Sequence, residues 1–339
     1  MPNNTLSVAQ IIADYGAYYE NAGQNKARLL NGLMQPSVTL QIPGIRHIKT
    51  NDTIYRLANP IFAKVLQGFQ KQFTPNGNLD FHPNEIRQCH VKVDFEVEPH
   101  DIEATWLGFL AGDSSKNIED WGICRYILEE YISKQVEDDK ETDAIYKGVY
   151  SAPTPGTANT PSDTMDGLKV QLINGAADSQ YPIHVVNSLG TYDPDDAFDY
   201  IEAFCNEISP LHKSRLNGLT IFCAEDIVTD YLRVKRNRGF YNISTDTELS
   251  TRIDFTKINL RGIPSMNGTT DIFATVTPNI LHLNKRDFNA ASIDVQKVDR
   301  VVKFLIDWWE AVGFGCNDLV WATEETVTES AASDDDDNN

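Results

Sequence analysis

The sequence predicts an α+β fold, and three stretches carry that prediction. Val91, Val93, Phe95 and Val97 alternate strictly with Lys92, Asp94, Glu96 and Glu98, the pattern of a strand with one buried face. Residues 193–209 carry the signals of a capped amphipathic helix. Residues 219–280 read as a short buried strand, a helix and two further strands.

From the N-terminus, residues 7–21 predict an amphipathic helix. Val8, Ile11, Ile12 and Tyr15 form its stripe, Ser7 caps it and Gly23 stops it. It either packs on its own domain or serves as an arm that docks on a neighbour. Residues 36–100 read as extended. Residues 62–73 are mixed, Pro75-Asn76-Gly77 marks a turn, and the 91–97 strand follows. Together they predict a long hairpin with a polar tip at residues 74–80. Such a hairpin is hard to stabilise alone and invites a partner surface.

Residues 113–148 should contain the longest helix, with Trp121, Cys124, Leu128, Tyr131, Ile132 and Val136 as its apolar stripe. The charged run 137–143 reads as a solvated face. Residues 151–163, rich in Pro, Thr and Ser, form a linker. Residues 167–173 and 183–186 read as short strands. In the 193–209 helix, Asp193 caps, Pro194 takes the first position, and Asp195 and Asp196 suit the dipole. Ala197, Tyr200, Ile201, Phe204, Cys205 and Ile208 form its buried face. Residues 219–222 are a buried strand, and a helix follows at Ala224 with Ile227, Val228, Tyr231 and Leu232 on one face. Residues 253–260 and 271–276 read as strands joined through Gly262-Ile263-Pro264 and an Asn267-Gly268 turn. Residues 298–309 fit a helix and a strand equally. From Thr323 onward the chain is acidic, low in complexity and expected to be disordered.

The 339 residues allow one large or two ordinary domains, and 41% hydrophobic with 23% charged residues is an ordinary globular composition. No run approaches the length of a membrane span, and the N-terminus has no basic or apolar signal region. A net charge of -20 argues against wrapping around phosphate, which needs clustered Lys and Arg. It is compatible with enclosing nucleic acid without gripping it. The five cysteines are scattered, with no CxxC, and read as reduced thiols in a cytosolic protein.

No catalytic motif stands out: GxSxG, GxxxxGK[ST], HExxH and GxGxxG are missing, and the seven histidines never pair at i, i+4. Cys89 and His90 are neighbours on a strand and point to opposite faces, so they are poor joint metal ligands. Asp193, Asp195, Asp196 and Asp199 could serve hydrolysis, but helix capping already explains three of them. Arg233, Lys235, Arg236 and Arg238 form the basic cluster, suited to completing the helix C-terminus and pairing with acids across a subunit boundary. Trp308, Trp309 and Trp321 read as core or buried interface.

The strand–helix–strand–strand passage, with its INLRGIPSM and DIFATVTPNIL segments, resembles the major capsid proteins of tailed bacteriophages, which have the Hong Kong 97-type fold. The resemblance follows the order of elements from Ser7 to about Ala322. It implies an N-terminal arm at 1–35 and an extended hairpin loop with flanking strands at 36–100. A peripheral domain with a long spine helix and linker would occupy 101–163, and an axial domain 164–260. Return strands would fill 261–322, with a strand across 298–309, before an acidic tail at 323–339. The implied function is self-assembly into the pentamers and hexamers of an icosahedral head enclosing double-stranded DNA. No reaction, cofactor or metal is implied. The expected partners are other copies, portal, and scaffolding or decoration proteins, with no membrane, and the expected place is the virion, assembled in the host cytoplasm. Candidate contacts between subunits are Thr74, Asn76, Asn78 and Asp80 at the hairpin tip and Arg233, Arg236 and Arg238 at the basic helix end. The alternatives are an encapsulin-like protein compartment and a soluble acidic hydrolase or binding domain using the Asp193–Asp199 group.

Overall fold

The computed structural model describes residues 37–62, 65–77, 79–98, 105–107, 109, 123–208, 218–238, 251–253, 256–286, 293–298 and 301–328. The expected 7–21 helix, the first ten residues of the expected 113–148 helix, Asn78 and the tail beyond 328 lie outside them.

The first sheet is organised around one long strand, β11 (Val301–Phe314). Strand β4 (Cys89–Val97) pairs antiparallel along one edge, from Val302↔Val97 to Glu310↔Cys89. Along the other edge lie β10 (Ile293–Val298) and then β9 (Ile280–Asn284), and β1 (Arg46–Lys49) adds parallel to β9. The stretch that fits both periods in the sequence is therefore a strand. Its period of two decides which side is buried: Val302, Phe304, Ile306 and Trp308 face inward, while Lys303, Leu305, Asp307 and Trp309 are only half-buried.

A long helix, α1 (residues 123–144), lies on that inner face. Ordinary turns at Ile123–Tyr126 and Ser133–Asp139 alternate with wider π turns at Ile127–Ile132 and Lys140–Ala144. Tyr126, Ile127, Leu128, Ile132 and Val136, with Trp106, pack on the inner side chains of β11. Of the predicted stripe, Leu128, Ile132 and Val136 are buried, whereas Tyr131 is 45% exposed. The expectation that the charged run 137–143 is wholly solvated fails at Lys140 and Glu141, which are buried.

The second sheet runs β5 (His184–Val186), β12 (Val320–Thr323), β8 (Phe273–Val276), β6 (Leu219–Cys223), β7 (Asn259–Gly262). Every residue of β6 is buried, as a short apolar run in a central strand requires. Helices α2 (Leu168–Ala177), α3 (Ala197–Glu207) and α4 (Glu225–Asn237) belong to the same core. Phe198 of α3 stacks on Tyr231 of α4 with ring centres 5.3 Å apart.

Three expectations are corrected here. Residues 167–173 do not form a strand; the chain turns into α2, with extended Gly167 at its N-cap and Leu168 and Leu172 buried one turn apart. A short apolar run fits either element, and tertiary packing chose the helix. The expected 253–260 strand is not one strand: the Ile253 N–H donates to Ile258 O and the Thr256 N–H to Ile253 O, and β7 begins only at Asn259. Residues 323–328 are not the start of a disordered tail. They end β12 and form a short helix, α5 (Glu324–Val327), whose Thr326 hydroxyl accepts from the Ile272 N–H at 2.9 Å.

The two layers meet where α1 turns into α2. The Gly167 N–H donates to Gly148 O at 2.8 Å. A Cβ at Gly167 would stand 2.5 Å from the carbonyl oxygen of Tyr146, a backbone atom that cannot move aside. Gly167→Ala should therefore destabilise the subunit by about 1–3 kcal/mol, read as a lower urea midpoint. Gly190→Ala has open space around it but a positive φ of 70°, and should cost less.

Candidate interaction surfaces

The long hairpin is real, but its strands differ from those expected. It pairs β2 (Ile54–Phe62) with β3 (Leu79–Arg87), while the alternating 91–97 strand belongs to the first sheet. Both arms carry a proline, Pro60 and Pro83, each of which removes a ladder donor. That suits a two-stranded ribbon that must not recruit further strands, and it hides the ribbon from a reading based on alternation.

The root of the ribbon is tied down on one face. Asn84 donates to Phe314 O at 2.7 Å and to Asn317 Oδ1 at 3.1 Å. Asn59 donates to Gly315 O at 2.9 Å. His82 Nε2 lies 2.9 Å from Asp178 Oδ2, just beyond α2. Ile86 is buried among Leu281, Leu283 and Ala311. Gly313, near the end of β11, permits this approach: a Cβ there would meet Ile86 at 2.8 Å.

The far end is different. Leu66 and Phe69 are each 95% exposed and Phe73 is 89% exposed. Three large apolar side chains in water are informative in a way that one would not be. They are the residues that reading the tip as polar missed. Of the predicted tip contacts, Thr74 and Asn76 are exposed in this loop, and Asp80 sits on β3 opposite Ile61.

The basic end of α4 is largely satisfied within its own chain. Arg238 makes a two-point contact with Asp199, at 2.5 and 2.7 Å, and Arg233 pairs with Asp230 at 2.8 Å. Lys235 is buried, with its ammonium 5.7 Å from the Tyr231 ring centre. Arg236 is exposed. The same contacts break up the aspartate group. Asp193 accepts from the Asp195 N–H at 3.0 Å as a helix cap, and Asp195 and Asp196 are exposed. Hydrogen bonding from Arg238 holds the Asp199 carboxyl below the usual range. A general acid needs the opposite shift.

A third feature was invisible in the sequence. Glu310 is buried in β11, and three donors from different places converge on it. Lys140 Nζ of α1 and His282 Nε2 of β9 each lie 2.7 Å from Oε1, and Trp308 Nε1 donates to Oε2 at 2.8 Å. His282 Nδ1 in turn lies 2.9 Å from Nδ1 of His47 on β1. Burial and the His282 ring push His47 below its ordinary value. Burial alone would raise the Glu310 carboxyl, but the Lys140 charge and the His282 hydrogen bond together outweigh it and hold it well below the carboxylate range. Next along α1, Glu141 accepts from the Thr39 backbone N–H at 3.0 Å and from its hydroxyl, and that hydroxyl is 3.0 Å from Ser265 Oγ. The end of α1 is thus bound at once to the first sheet and to the segment leading into β1, and through Thr39 to the turn that follows β7. Among the described residues no group of His, Cys, Asp and Glu is placed to hold a metal, and no helix is long and apolar enough to cross a membrane.

No protein-family model matches the sequence, and no curated protein matches it. The solved structures do. A chain of the satellite phage P4 procapsid, which includes the size determination protein, aligns with a TM-score of 0.59 at 13% identity, over 96% of this chain and 98% of that one. The capsid of an empty GTA particle aligns at 0.53 and 9% identity, over 86% and 90% of the two chains. The cyanophage A-1(L) capsid aligns at 0.50 and 13% identity, over 86% and 93%. At such identities the shared property is the path of the backbone.

Proposed function

From a chain that has the Hong Kong 97-type fold of phage capsid subunits, we propose a major capsid protein that builds a closed icosahedral head. One observation carries the reading: the likeness to the P4 procapsid chain runs over almost the whole length of both chains. In this reading the protein performs no reaction. Its work is to present the same surfaces to several neighbours, in pentamers and hexamers, so that repeated interfaces close a shell. The hairpin tip, with Thr74, Asn76, Asn78 and Asp80, and the α4 end, with Arg233, Arg236 and Arg238, serve as contacts between copies. Arg236 is the arginine of that set left without an ion-pair partner among the described residues. The acidic balance of -20 suits a lining that encloses double-stranded DNA without holding it. Portal, scaffolding or decoration proteins complete the particle, and the subunit resides in the virion after assembly in the host cytoplasm.

Electron microscopy of the purified protein, alone and co-expressed with its neighbouring structural genes, tests this. Closed shells of uniform size are expected, and particles formed in the host should carry DNA. A uniformly monomeric species under every assembly condition would overturn the proposal. Shells that hold protein cargo and no nucleic acid would replace the phage head with an encapsulin-like compartment.

A further inference from the structure

We propose that residues 65–73 at the hairpin tip fold into a short amphipathic helix when they meet a second copy of this chain, burying Leu66, Phe69 and Phe73. The inference rests on the shell-subunit reading and adds to it the form and chemistry of one contact.

In the isolated subunit this stretch has no regular structure, and its three large apolar side chains lie in solvent. Their spacing is nevertheless that of a helix. At 3.6 residues per turn, Val65, Leu66, Phe69 and Phe73 fall within an arc of roughly 100°, and Gln67, Gly68, Gln70, Lys71 and Gln72 take the remainder. A strand would put Val65, Phe69 and Phe73 on one face but Leu66 on the other. Nine residues are too few to hold a helix alone in water, so the coil of the free subunit and the helical pattern of its sequence are compatible. The missing element is a surface.

Charge selects that surface. Residues 54–79 include Arg56, Lys64 and Lys71 and not one acid, in a chain whose net charge is -20. A second copy presents the opposite sign. On the outer side of its α1, Asp138 is exposed and Glu137, Asp139 and Asp143 are half-exposed. The Arg56–Glu85 pair neutralises the root of the ribbon, at 2.6 Å, and leaves the tip cationic.

Gly68 makes the proposal testable. It lies in the middle of the stretch, and no atom stands within 4 Å of where its Cβ would be. Both Gly68→Ala and Gly68→Pro should therefore leave the melting of the soluble subunit unchanged. In a helix alanine is preferred over glycine and proline is not tolerated mid-helix. Gly68→Ala should lower the concentration at which shells form about fivefold, the equivalent of ~1 kcal/mol. Gly68→Pro should raise it more than tenfold or abolish shells. Hydrogen exchange at 65–73 should be fast in free subunits and strongly slowed in shells. If both variants assemble like the wild type, or if the stretch exchanges as fast in shells as in free subunits, the proposal is overturned while the shell reading stands. Protection that appears only when a different structural protein is added would overturn the second copy as occupant. A wild-type protein that never forms shells would overturn both readings.

Discussion

Glu310→Gln should destabilise the subunit by about 3–5 kcal/mol, the cost of removing one partner from a buried ion pair. The site explains why the value belongs at that level. Glu310 is 2% exposed, and it is the common acceptor for Lys140, His282 and Trp308. Glutamine keeps the shape but removes the charge, so the Lys140 ammonium stays buried without compensation, and the amide group must present N–H to one of the three donors. The three donors come from α1, β9 and β11 itself, so the loss should loosen the helix from the sheet rather than a single contact. Denaturant unfolding at neutral pH reads this as a lower midpoint.

The pH dependence has a definite sign. The folded state holds the Glu310 carboxyl below its unfolded value. The stabilisation it supplies is therefore complete above the unfolded value of about 4.3 and is lost as pH falls toward the folded one. The stability gap between wild type and Glu310→Gln should be flat from pH 8 to about 5 and should narrow below about 4. A gap that widens on acidification would show that the carboxyl is not the ionised centre of the network.

Replacing residues 65–77 by a tight Asn-Gly turn should abolish shell formation and leave the subunit folded. Nothing in the core depends on the tip, because Leu66, Phe69 and Phe73 are 95%, 95% and 89% exposed. The ribbon root keeps its own anchors through Asn59, Asn84 and Ile86. If neighbours bury the tip, each large apolar side chain is worth about 1.5–3 kcal/mol gross. That gain is repeated at every equivalent contact in a closed shell, so a modest local loss becomes a complete failure of assembly. Sedimentation and electron microscopy read the assembly, and circular dichroism and melting read the fold. Normal shells from this variant would remove the hairpin tip from the assembly mechanism.

Several elements could be read from the chain because one local signal dominated. Asp193, Pro194 and the i, i+3, i+4 spacing of Ala197, Tyr200 and Ile201 leave little but a capped helix, and the structure has α3 there. The Val91–Val97 alternation makes a strand because a period of two with charged residues between fits nothing else. Other elements had weak or competing signals. Residues 167–173 were too short to separate strand from helix, and Leu168 and Leu172 became a helix face because a large core lay beneath them. The ribbon arms carry prolines and mixed polarity, so β2 and β3 had no period to read. The basic cluster was visible, but not that Asp199, 39 residues before Arg238, already pairs with that arginine.

Local spacing along the chain was enough for the α+β class, helices α3 and α4 of the second layer, the strands with clean periods, the lack of any recognisable catalytic motif and the acidic balance. These depend on neighbours within one or two turns along the chain, where spacing alone sorts faces. Only the tertiary structure decided the rest: that residues 301–314 are a strand, that the ribbon arms are 54–62 and 79–87, and that the tip is apolar and uncovered. It also decided that Lys140, His282 and Glu310 form one buried network, with His47 on its exposed edge. His47 and His282 are 235 residues apart and meet only because β1 and β9 pair in parallel with those two residues in register. A buried charge is tolerated where the fold brings it a partner. That condition is met in space and leaves no mark on the spacing of residues along the chain.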